Sequence, residues 1–118
     1  MNIVLAAHTR EEKTALYLAL NATVDVTVVA TAASTAELVS YCSAFLPDVA
    51  IVETGLPGRS LREVLGDLET VPTPRRVLII GGDDASSLAN EFDRTELLRD
   101  TDHLTAILPD LDLKNGIR

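Results

Sequence analysis

Short apolar runs alternate along this chain with longer amphipathic stretches. Ile3-Val4-Leu5-Ala6, Val49-Ala50-Ile51-Val52, Val77-Leu78-Ile79-Ile80 and Ala106-Ile107-Leu108 are continuous runs of three or four apolar residues. That is the pattern of strands buried on both faces of a parallel sheet. Val24-Asp25-Val26-Thr27-Val28 alternates instead, which predicts an edge strand with one wet face. Helix starts lie between these runs. Thr9 with Glu12, Ser34 with Glu37, and Ser60 with Glu63 have capping-box spacing, so each start satisfies two backbone N–H groups that a helix leaves open. Leu38, Cys42, Phe45 and Leu46 then form one helical stripe, and Leu61, Val64, Leu65 and Leu68 form another. Ala85 to Asp100 is helical in composition, and its polar middle, Asp93-Arg94-Thr95-Glu96, offers a restart for a second short helix.

The predicted order is β1 (2–7), α1 (10–20), β2 (24–30), α2 (35–46), β3 (48–53), α3 (60–69), β4 (76–81), α4 (85–99) and β5 (104–108). Strict alternation of this kind implies a three-layer, doubly wound α/β domain with a parallel five-stranded sheet. Right-handed crossovers with β2 at an edge give the strand order 2-1-3-4-5. Chemistry in such sheets sits beyond the carboxyl ends of the strands, where the order reverses between β1 and β3. That picks out Ala7, His8 and Glu53, with Gly81 and Pro109 on neighbouring strand ends.

Composition narrows the picture. A chain of 118 residues that is 47% hydrophobic reads as one domain over 1–118, and is too apolar to stay disordered. No uncharged run is long enough to span a membrane, and Asn2 to Ala7 lacks the basic lead-in of a secretory signal. The lone Cys42 permits no internal disulfide, which suits a reducing cytoplasm. The net charge of −8 is spread over both halves, and four aromatic residues make no stacking platform, so nucleic acid is not expected as a direct partner. Gly81-Gly82-Asp83-Asp84 lacks the spacing of a phosphate loop and reads as a turn into a helix. No arrangement of Ser, His and Asp, or of Cys and His, supports nucleophilic catalysis, so the chain is not expected to be an enzyme. His103 has no visible partner.

The segment Pro47-Asp48-Val49-Ala50-Ile51-Val52-Glu53-Thr54-Gly55-Leu56-Pro57-Gly58 resembles the β3–loop segment of response-regulator receiver domains, a flavodoxin-like fold. In that family Pro-Asp, four apolar residues, the phosphoacceptor Asp, two variable residues and a hydrophobic-Pro-Gly turn follow in order. The likeness covers this segment closely and the β/α order to about residue 110 more loosely. Transferred position by position, the site is degenerate. The two β1 acids that would hold Mg²⁺ read Ala7 and His8, and the phosphoacceptor reads Glu53. The hydroxyl residue ending β4 reads Gly81, the Lys near the end of β5 reads Pro109, and the switch aromatic reads Ala106. Phosphoryl transfer to a carboxylate depends on cations that neutralise the moving oxygens, and these residues supply none. The resemblance therefore implies a pseudo-receiver: no cofactor or metal, and a phosphorylation-independent module for protein contacts or dimerisation in signal transduction or transcription control. DNA would be reached only through a separate output domain if one follows.

Glu53 has two readings, a built-in mimic of the acyl phosphate or a solvated carboxylate left after catalysis was lost. His8 would either pair with Glu53 across the cleft in a pH-sensitive contact or stand exposed at a β–α turn. The alternative function is a small-molecule site in the vacated β1/β3 pocket. The predicted β5 leaves only Asp110 to Arg118 for the family's fifth helix, which would then be short or missing. One sheet face would lie open, and burial of that face in a homodimer is the expected remedy.

Overall fold

The continuous apolar runs become the central strands. The computed structural model describes residues 1–21, 26–70, 73–74, 76–81 and 84–98. β1 (Asn2–Ala6), β3 (Val49–Glu53) and β4 (Arg76–Ile80) are flanked by β2 (Thr27–Ala32) and β5 (Thr95–Leu97). All neighbours pair in parallel, in the order β2-β1-β3-β4-β5. The helices are α1 (Arg10–Asn21), α2 (Thr35–Phe45), α3 (Leu61–Glu69) and α4 (Asp84–Glu91). Fold class and strand order are those expected from the alternation.

Because successive strand residues face opposite sides, the sheet feeds two cores. Val4, Ala6, Ala50, Val52, Val77 and Ile79 pack with α2, α3 and α4 through Leu38, Cys42, Val64, Leu65 and Leu88. Ile3, Leu5, Val49, Ile51, Leu78 and Ile80 pack on the other face with Leu16 and Leu20 of α1 and with Leu98. Cys42 is a core residue whose burial pushes its thiol up to about 11. It remains a neutral, unreactive packing group at physiological pH.

Three expectations change. The fifth strand is Thr95–Leu97, not 104–108, and α4 stops at Glu91 instead of running to residue 99. The mixed triad Thr95-Glu96-Leu97 can be a strand because it lies at an edge. Thr95 is buried, while Glu96 reaches Arg76 of the adjacent strand at 3.3 Å. The Val77 N–H donates to Arg94 O and the Leu98 N–H to Ile79 O, which fixes the strand's register. Residues 104–108 lie outside the described residues, and β5 is followed in the sequence by residues 98–118. The open sheet face is also not found. Val49, Ile51 and Leu78 are fully buried and Ile80 nearly so within the single chain, which removes the burial argument for a homodimer.

The helix starts divide as well. Ser34 Oγ accepts from the Glu37 N–H, and the Glu37 carboxylate in return accepts from the Ala33 N–H at 2.8 Å. Ser60 makes no side-chain cap, and the hydroxyl of Thr9 is engaged elsewhere, as the site shows.

Candidate functional site

Parallel pairing of β1 with β3 sets Ala6 beside Val52, so the next residues of both strands, Ala7, His8 and Glu53, meet at the carboxyl edge of the sheet. Glu53 does not stand free in solvent. Its carboxylate turns back onto the β1–α1 connection, with Oε2 accepting from the His8 N–H at 3.1 Å and, at the long limit of 3.5 Å, from the Thr9 N–H. Thr9 Oγ1 donates to Oε1 at 3.0 Å, and His8 Nδ1 lies 3.4 Å from Oε2. The Glu53 side chain is only 12% exposed, whereas that of His8 is 42% exposed.

Sequence and geometry together explain this arrangement. α1 begins at Arg10, and the N–H groups at a helix start are open donors at the positive end of the helix dipole. The Glu12 side chain, the other half of the Thr9 capping-box pattern, lies outside what is described. Glu53 reaches across from β3 and engages that segment, and its extra methylene over Asp supplies the reach. The contact between His8 and Glu53 matches the paired reading. The Glu53 carboxylate does not fit the solvated reading, because it is largely out of water and bonded to the β1–α1 loop.

Two glycines at this edge are closely packed. The His8 ring lies over Gly55, where an added Cβ would stand 3.2 Å from His8 Cε1. Gly81 has φ +149°, and a Cβ there would overlap Thr54 Oγ1. The Thr54 N–H donates to Ile80 O at 2.9 Å, so its hydroxyl is held over the end of β4. The hydroxyl missing from Gly81 is thus replaced in space by that of Thr54, a residue at one of the two variable positions of the sequence pattern. Thr9 and Thr54 are the site residues that sequence reasoning did not single out. Thr9 was read only as a cap, and nothing in the local pattern of Thr54 marks it.

The loop after β3 is held by similar close contacts. Gly58 has φ +117°, and a Cβ there would overlap the buried Thr35. Thr35 Oγ1 accepts from the Arg59 N–H at 2.8 Å, and the Thr35 N–H donates to Pro57 O at 2.9 Å. The Leu-Pro-Gly turn is therefore stitched to the start of α2. Ala106 and Pro109 lie outside the described residues. The first basic residue after β5 in the sequence is Arg99.

The donor set does not fit the Mg²⁺ that receiver sites hold. Mg²⁺ requires oxygen ligands in near-octahedral geometry, whereas Ala7 offers a buried methyl, His8 a ring nitrogen, and Glu53 a carboxylate already bonded to the loop. Among the described residues no three His, Cys, Asp or Glu side chains come together as a metal site.

No protein-family model and no curated protein matches this sequence. Solved structures do match in fold. The signal receiver domain of the response regulator NarL from Mycobacterium tuberculosis is 23% identical, with a TM-score of 0.79 over 98% of this chain and 96% of that one. The response regulatory domain of mrkE from Klebsiella pneumoniae is 10% identical, with a TM-score of 0.82 over 97% of both chains. A DNA-binding response regulator of the LuxR family from Staphylococcus aureus is 17% identical, with a TM-score of 0.76 over 94% and 98%. The chain has the fold of response-regulator receiver domains.

Proposed function

We propose that this chain is a receiver-type signalling module that works through protein contacts and does not cycle through phosphorylation. The observation that carries this reading is the Glu53 carboxylate, bonded to His8 and Thr9 where a phosphoacceptor would have to face the phosphodonor. A carboxylate in that state is a structural anchor. Ala7 and His8 in place of two acids, and Gly81 under Thr54 in place of a hydroxyl, support the same reading. The likeness of fold to regulators such as the NarL receiver supports a role in signal transduction. The LuxR-family likeness is compatible with transcription control, and a net charge of −8 would leave any DNA contact to another domain. Catalysis forms no part of this reading. A ligand in the β1/β3 pocket has less support, because the His8 ring already packs on Gly55.

Incubation with acetyl phosphate and Mg²⁺, followed by intact-mass measurement, tests the proposal. The expected spectrum shows the unmodified chain alone. A stoichiometric gain of one phosphoryl group, mapped to Glu53, overturns it.

A further inference from the structure

α1 and the edge strand β2 enclose a groove of about 390 Å³ lined by Arg10, Lys13, Thr14, Tyr17 and Leu18 from the helix and Thr31 from the strand. Leu16 and Leu20 face the core, which leaves Tyr17 and Leu18 43% and 65% exposed beside the groove.

The charges at its rim are unusual for this molecule. Arg59, Arg62 and Arg76 each reach a carboxylate within 4 Å. Arg10 and Lys13, one turn apart on α1, form no ion pair among the described residues. They also stand in the first turns of a helix, where the dipole disfavours cations. Among the described residues neither an ion pair nor helix electrostatics accounts for them. The strand wall is equally open. One extra residue, near Val29, shifts the pairing with β1, and beyond it Ala30, Thr31 and Ala32 carry no charge or proline to guard the sheet edge.

We infer that this groove docks an acidic segment of a partner protein, extended along the edge of β2, with carboxylates on Arg10 and Lys13 and an aliphatic side chain on Tyr17 and Leu18. Edge backbone groups give such a segment its hold, and the side-chain groove gives it selectivity. The charge balance argues for this occupant over a second copy. A symmetric contact would set the two cation patches of like sign against each other and join two chains of net charge −8. The inference does not depend on Glu53.

The probe is a fluorescein-labelled octapeptide alternating aspartate with valine and leucine, titrated with the chain and followed by anisotropy. A peptide with lysine for aspartate is the control. The acidic peptide should bind and the basic one should not. Raising salt from about 50 to 300 mM should weaken binding several-fold, since the contacts are exposed charges. R10E/K13E should weaken it by about tenfold or more, while R59E stays within about twofold. T31F, which fills the groove and leaves both cations in place, should also abolish binding, and circular dichroism of each variant checks its fold. Amide shifts at Ala30 to Ala32 should accompany binding to the parent chain. Equal binding of both peptides, indifference to R10E/K13E, or no response at the β2 edge overturns the inference. So does a doubled mass in light scattering that T31F returns to that of one chain, which would give the groove to a second copy.

Discussion

At the scale of single residues, Glu53 carries the most consequence. Three hydrogen bonds converge on one carboxylate that is largely out of water, and bonds to charged groups are worth about 1.5–3 kcal/mol each before the cost of leaving a donor unmet. Glu53→Gln keeps the volume and one acceptor oxygen but turns an amide N–H₂ toward groups that are themselves donors. The expected loss is about 1–3 kcal/mol, well above the range for an exposed carboxylate of ~0–1 kcal/mol. Chemical denaturation of both forms at neutral pH measures it. A change under ~0.5 kcal/mol would mean that the loop is held without this anion. Glu53→Asp gives a second reading, because the shorter side chain should lose part of the contact while keeping the charge.

At the scale of elements, the glycine after β4 shows how the two strand ends exchange roles. Restoring the family's hydroxyl with Gly81→Thr places a β-branched residue at φ +149° and against Thr54. The backbone conformation alone is worth about 1–3 kcal/mol, and the overlap adds to it. Adding Thr54→Ala should recover the steric part and leave the backbone part. Thermal melts of the single and double variants separate the two, and a Gly81→Thr chain as stable as the parent would show that β4 ends differently. Much of the element order was legible because β1, β3 and β4 are apolar on both faces and cannot be solvated. The fifth strand was not legible, since Thr95-Glu96-Leu97 gains its character from the ion pair of Glu96 with Arg76 and from register with β4. Those are contacts between segments, and no local period records them. The site was legible only in its positions. Ala7, His8, Glu53 and Gly81 fall where the strand order placed them, but the direction of the Glu53 carboxylate and the role of Thr54 follow from neighbours distant in the chain.

At the scale of the whole molecule, the decisive feature is a sheet closed on both faces. A layer of Ile3, Leu5, Val49, Ile51 and Leu78 with essentially no exposed surface leaves no open sheet face among the described residues for a second copy to cover. Burial of such a face is worth about 25 cal/mol per Å², and this gain is already realised within one chain. Association, where it occurs, draws on surface features such as the α1/β2 groove, whose cations have no ion pair among the described residues and favour an acidic partner over a like-charged copy. The chain should therefore behave as a monomer of 12.7 kDa in light scattering at micromolar concentration, with weak binding of a hydrophobic dye. Its self-repulsion at net charge −8 acts in the same direction. A stable dimer at low salt would contradict this, and the variant that dissolves it would locate the surface: T31F if the groove is responsible, and a different face if it is not.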